Sequence, residues 1–253
     1  MQRTEREFHI QCKMGDVGKY CILPGDPGRC EEIAQYLEYP RLVACNREFV
    51  TYTGLLEDEE VSVVSTGIGG PSAAIAMEEL IHLGVTHFLR IGTCGGINLR
   101  VQAGDLVIPM SAIRQEGTSY EYAPSTYPAT ADYSLLHALV QAAEELKLPH
   151  HVGVVQSKDS FYGQHSPLSM PVSPTLLSHW NAYKQLGVLA SEMESAALFT
   201  VSAARNVRCA AIFTALWNQE REAAHLDQNT HFDTDSSIRC SILALKNLIR
   251  KAR

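Results

Sequence analysis

The chain alternates two hydrophobic rhythms from end to end. Short apolar runs at residues 20–23, 49–55, 61–65, 88–91, 106–109, 152–156 and 209–215 read as strands. The first is stopped by Pro24-Gly25, and the second and third flank the acidic turn Glu57-Asp58-Glu59-Glu60. Between the strands, residues 28–37, 71–83, 135–146, 174–183, 193–205 and 235–251 carry helical spacing. In 71–83 a proline stands at the start, Gly84 follows the end, and Ala73, Met77, Leu80 and Ile81 share one face. The last helix places Ile238, Ile242, Leu245 and Ile249 on one stripe. Strands that alternate with helices predict an α/β fold, a single-domain three-layer α/β/α sandwich with a mixed central sheet over residues 1–253. In such sheets a ligand lies at the carboxyl ends of the strands.

Composition narrows the partners. Lys and Arg number 21 against 28 Asp and Glu, a formal charge of −7, which argues against nucleic acid or an anionic membrane as partner. A bound anion must therefore meet a local cluster of arginines. The seven cysteines are widely spaced without a CxxC pair, so neither a zinc site nor a disulfide framework is indicated, and reduced thiols fit the cytoplasm. The first residues are polar, without the apolar stretch of a signal peptide, and no apolar run approaches the ~20 residues of a membrane span. A cytoplasmic, soluble protein is expected.

Two segments carry candidate anion chemistry. Leu23-Pro24-Gly25-Asp26-Pro27-Gly28-Arg29 joins a strand to a helix, with Gly25 allowing close backbone approach and Arg29 in the first helical turn. Arg90 sits inside an apolar strand, where an unpaired charge is costly, and needs either an anion or a carboxylate partner. The following Gly92-Thr93-Cys94-Gly95-Gly96 offers amides and a hydroxyl, and Arg47 is a third candidate cation. No GKS or GKT loop occurs, so inorganic phosphate suits these groups better than a nucleoside triphosphate.

Seven stretches in order along the chain extend the pattern: PGDPGR (24–29), NREFVTYTG (46–54), STGIGGPS (65–72), RIGTCGG (90–96), EYAPSTYPATAD (121–132), FYGQH (161–165) and SEMESAALF (191–199). Through them the chain resembles the nucleoside phosphorylase-I family, its uridine phosphorylases in particular. The resemblance implies phosphate-dependent, reversible cleavage of a nucleoside N-glycosidic bond, with inorganic phosphate as co-substrate and no other cofactor. It implies phosphate binding by Gly25, Arg29, Arg90 and Thr93, with Arg47 supplied by a neighbouring subunit. It implies ribose binding by Met193 and Glu194, the carboxylate accepting from the 2′- and 3′-hydroxyls, and by His9 reaching the 5′-hydroxyl across a dimer interface. It implies base contacts from Gly95, Phe161, Gln164 and Glu192, and places Glu48, Ile68 and Ser72 where some relatives hold a potassium ion between subunits. A homo-oligomer follows, a dimer unit repeated as a trimer of dimers.

Two departures bear on the base. Uridine phosphorylases carry an Arg shortly after the Gln of this segment; here the run is Gln164-His165-Ser166-Pro167-Leu168-Ser169, with Ser166 or Ser169 in its place and His165 as a partial substitute. Hexameric purine phosphorylases place an Asp where this chain has Asn218, which suits an oxopurine better than an aminopurine. Trp217 would narrow the base pocket, and residues 218–233 read as a polar flap over it. A purine nucleoside phosphorylase, a water-using nucleosidase and a catalytically altered nucleoside-binding protein on the same fold are the competing readings.

Overall fold

Five consecutive buried residues make β1 (Tyr20–Pro24) the centre of the sheet. The computed structural model describes residues 6–226 and 230–253. β1 pairs in parallel with β4 (Glu59–Val64) and with β5 (His87–Gly96), and β5 pairs in parallel with β10 (Arg208–Asn218). The sheet continues antiparallel through β3 (Phe49–Leu56) to the edge strand β2 (Glu38–Asn46). On the other side β10 meets β6 (Leu106–Gln115) antiparallel, and β6 meets β8 (His150–Lys158) in parallel. The three-residue β9 (Ala190–Glu192) then joins β8 back to Gly95 and Gly96 of β5, so this half of the sheet curls into a closed ring. The short β7 (Ala129–Thr130) pairs with β6.

Helices cover both faces, as the alternation predicts. Along β5, Phe88 packs with α2 (Gly70–His82) and α6 (Ser195–Arg205) through Met77, Leu80 and Phe199. Its neighbours Leu89 and Ile91 face α1 (Gly28–Ala34), α3 (Tyr133–Glu145) and α8 (Asp235–Ala252) through Ile33, Leu139, Ile242 and Leu245. The period of two along a strand therefore puts Arg90 on the α2/α6 face. α4 (Phe161–His165), α5 (Ser173–Gln185) and α7 (Gln219–Ala223) lie outside these two cores. No helix among the described residues is long and apolar enough to cross a membrane.

The structure departs from expectation at boundaries that matter. β2 was not anticipated: it is mostly exposed and contains Pro40, features of an edge strand without an apolar run. The Gly-rich segment after Arg90 is strand through Gly96, because β10 and β9 supply its ladder partners. The helix predicted to start at Met193 starts at Ser195, and of the predicted flap residue 218 closes β10 and residues 219–223 form α7. Residues 227–229 of that segment lie outside the described residues.

Six of the seven free thiols are buried, Cys45 alone being exposed. Burial pushes Cys30 and Cys240 up to about 12 and raises Cys21, Cys94 and Cys209 well above the ordinary thiol value. Unfolded, these thiols ionise near pH 9. Their contribution is thus fully present below that pH and is lost as pH rises toward the folded values. Stability should fall by about 1.4 kcal/mol per thiol between about pH 8 and about pH 10. Denaturant titrations of Cys240→Ala should show a loss smaller by that amount; a pH profile identical to the parent's would refute this account.

Candidate active site

A cavity of about 840 Å³ opens at the carboxyl ends of β1, β5, β8 and β10. The register sets Pro24 opposite Ile91 and Asn218 opposite Gly96, so β5 and β10 run on past the end of β1 along the cavity. The N-termini of α2 and α6 approach it from the face that carries Arg90.

At its floor Arg90 and Glu194 meet. Arg90 Nη2 donates to Glu194 Oε2 at 2.8 Å, and both residues are about 5% exposed or less. Arg90 Nη1 donates to Thr66 Oγ1 at 2.8 Å, whereas its buried Nε–H has no partner among the described residues. Glu194 Oε1 accepts from the backbone of Gly69 at 2.7 Å. Gly69 has φ of 92°, a left-handed conformation that favours glycine, and this turns its N–H toward the carboxylate. Gly25 lies against the guanidinium: a Cβ there would stand 3.0 Å from Arg90 Nη2. The sequence left open whether Arg90 meets an anion or a carboxylate. The structure gives it a carboxylate partner and a place on the cavity wall together.

Glu194 reaches this position because its neighbour Glu192 holds the turn. Glu192 Oε2 accepts from the backbone N–H groups of Glu194 and Ser195 at 2.8 and 2.9 Å, and Oε1 accepts from Ser157 Oγ. It thereby satisfies the first amides of α6, which explains why the helix begins at Ser195 and leaves Met193 and Glu194 free to line the cavity. Burial, then the charge of Glu194, raises the Glu192 carboxyl above its ordinary value. Glu192 lines the cavity as expected, but its oxygens are already engaged in holding the turn.

The other anion candidates divide. Gly25, Arg29 and Thr93 line the cavity with Arg90, and the Arg29 guanidinium has no hydrogen-bond or ion-pair partner among the described residues. Arg47 does not line it. It sits at φ of 54° in the β2–β3 turn with its guanidinium 5.9 Å from the Phe8 ring centroid. His9 is also outside. Its Nδ1 meets Glu79 Oε1 at 2.6 Å, and the backbone N–H groups of His9 and Ile10 bond the same carboxylate. Glu79 accepts from Nδ1–H, so in the neutral ring Nε2 is the acceptor.

The opposite end is lined by Phe161, Gln164, His165, Trp217 and Gly95, together with a residue the sequence reading missed, Lys158. Lys158 is 6% exposed, and its Nζ donates to Ser191 Oγ at 2.6 Å. Burial lowers it to about 8, against the opposing pull of Glu192 and Glu194. The available signal was its place two residues after the apolar run 152–156 and three before FYGQH. Burial, then Lys158, lowers His165, which favours its neutral ring. Ser166 and Ser169 do not line the cavity; Ser169 Oγ bonds the carbonyl of Ser166.

Asn218 is corrected as a base contact. It is fully buried outside the cavity, donating to the carbonyls of Asn98 and Val101 and accepting from the backbone of Glu220 and Arg221. Its polarity is used to cap α7. From the predicted flap, Phe232 does line the cavity. Glu48, Ile68 and Ser72 stand together at its rim, with Ser72 Oγ donating to Glu48 Oε1 at 2.9 Å. With the Ile68 backbone carbonyl they offer fewer than the six or more oxygens that a hard cation takes, so one chain would supply only part of a site shared between copies.

A cavity with guanidinium groups at one end, a fixed carboxylate at its floor and aromatic and amide groups at the other is suited to a small ligand that is anionic, hydroxylated and aromatic in turn. The sequence model of the phosphorylase superfamily matches residues 19–250, and the chain belongs to that family. It is 52% identical to a uridine phosphorylase of Treponema pallidum over 97% of this chain and 95% of that protein. It is 41% identical to a uridine phosphorylase of Thermococcus kodakarensis over 86% and 83% of the two chains. It is 40% identical to a guanosine phosphorylase of Halorubrum lacusprofundi over 83% and 82%.

Removing one member of a buried pair strands the other's charge. Arg90→Met and Glu194→Gln should each lower stability by about 3–5 kcal/mol, and the double variant should lose clearly less than their sum. Chemical denaturation of the four proteins measures this; additive losses would show that the pair is not coupled.

Proposed function

We propose that the protein is a uridine phosphorylase, a pentosyltransferase that cleaves uridine with inorganic phosphate to uracil and ribose 1-phosphate. The observation that carries this reading is the single cavity shared by Arg29, Arg90 and Glu194. Phosphate lies against Gly25, Arg29, Arg90 and Thr93. The unpartnered Arg90 Nε–H and the unengaged Arg29 supply charge-assisted donors to it. The ribose lies over Met193 and Glu194, its hydroxyls donating to the carboxylate that Arg90 and Gly69 hold in place. The base lies against Phe161 and Gln164. The C1′–N1 bond breaks through an oxocarbenium-like state, the phosphate oxygen beneath the ring stabilises the cation and then captures it, and the electron pair leaves with the base. Glu194 works by keeping the sugar in line with the nucleophile, a positioning effect.

His9 and Arg47 belong, in this reading, to the cavity of a neighbouring copy. Their exclusion from their own cavity supports it, as does the fixed His9 ring with Nε2 left to accept from a 5′-hydroxyl. The protein is then an obligate homo-oligomer built on a dimer. A potassium ion between copies would draw its remaining oxygens from the neighbour. The free thiols of the described residues fit a reducing, cytoplasmic setting.

Uracil release from uridine should require phosphate and yield ribose 1-phosphate in equal amount, with uridine preferred over inosine and guanosine. Release without phosphate, or a preference for a purine nucleoside, would overturn the reading. Arg29→Ala should raise the phosphate KM roughly 10- to 100-fold; an unchanged KM would remove Arg29 from the phosphate site. His9→Ala and Glu194→Ala, each weakly active alone, should regain activity on co-assembly, since a mixed dimer holds one intact site. Failure of mixed dimers to recover would reject sharing between subunits.

A further inference from the structure

The base end of the cavity contains a buried cation that the proposed reaction has not yet used. Lys158 stands at the last position of β8, and its Nζ lies 5.9 Å from the Phe161 ring centroid. Among the described residues its one hydrogen-bond partner is Ser191 Oγ, and no carboxylate lies within ion-pair distance. An ammonium carries three donors, so two remain. A lysine held this way is a costly choice for packing alone.

The hydrogen-bond directions around it are determined. Nζ only donates, so Ser191 Oγ accepts from it and must give its own proton to Gln164 Oε1, 2.7 Å away. Gln164 is thereby turned so that its amide nitrogen is the donor, with one N–H directed to Gln219 Oε1 at 3.4 Å. Lys158 and Gln164 both line the cavity, so the two remaining ammonium donors and the second amide N–H are available to a ligand there, while the serines that follow Gln164 in sequence do not line it.

Resting on the uridine phosphorylase reading, we propose that Lys158 is the proton donor to the departing base, and that through Ser191 it also sets the orientation of Gln164. As the C1′–N1 bond breaks, its electron pair passes into the pyrimidine and out to a carbonyl oxygen, while a phosphate oxygen bonds C1′. The Lys158 ammonium gives one proton to the base, which leaves neutral, and the resulting amine regains a proton from solvent. The groups facing it are Glu192 and Glu194, which favour its charged form, and Cys94 and His165. Its lowered proton affinity suits a donor that is charged at neutral pH yet releases its proton readily.

The test compares uridine with 5-fluorouridine, whose electron-withdrawing fluorine makes the base leave with less need of a proton. K158M should lower kcat on uridine by about 100-fold or more, with a change in KM under about tenfold. Its loss on 5-fluorouridine should be at least about ten times smaller. K158R, which keeps the cation but holds its proton at any working pH, should show the same selective loss, so the comparison survives if K158M folds poorly. Equal losses on the two substrates in both variants would overturn the role while leaving the functional reading intact. A parent enzyme inert toward uridine and phosphate would remove both.

Discussion

Everything at the site depends on one buried contact, the 2.8 Å bond between the Arg90 guanidinium and the Glu194 carboxylate. Neither charge tolerates burial alone. The bond joins β5 to the β9–α6 turn, and Gly69 in the loop before α2 bonds the other oxygen of the same carboxylate. Sheet, helix starts and cavity floor are therefore tied together at one point. The pair also leaves the floor of the cavity set before any ligand arrives, since neither side chain has to leave solvent on binding. Such preorganisation is where most enzymatic electrostatic stabilisation originates.

Charged groups of both signs line the one cavity: Arg29, Arg90 and Lys158 as cations and Glu194 as a carboxylate. In the proposed reaction an anionic nucleophile, a transient carbocation and an electron-rich leaving group meet there, each with an opposite charge among the lining residues, and no protein group forms a covalent bond.

Much of this was legible in the sequence, for a common reason. Arg90 and Glu194 are charges embedded in apolar segments, and a charge in that setting must have a purpose. The strands around β1 and the helices at 71–83 and 235–251 announced themselves through strong periodicity. β2 and β9 did not, because one is an exposed edge and the other has only three residues, and both exist through their partners. Asn218 misled: it is a polar residue beside the site whose hydrogen bonds go to nearby backbone. Glu192 lines the cavity as expected yet also holds the turn before α6, and composition does not distinguish a group that holds a loop from one that holds a ligand. Lys158 was passed over for the opposite reason: a lysine at the end of an apolar run usually marks the strand's exit to solvent, and only the curl of the sheet through β9 encloses it.

That curl has an evolutionary corollary. The sugar-and-phosphate half of the cavity is built into strand ends and helix starts that carry the core, so substitutions there are paid for in stability. The nucleobase half rests on Lys158, on the five-residue α4 and on the outer end of β10, with little of the core behind it. Selection can therefore exchange one heterocycle for another through a few local replacements while the transfer chemistry is inherited unchanged. Relatives named for uridine, at 52% and 41% identity, and one named for guanosine, at 40%, are the divergence such an asymmetric architecture allows.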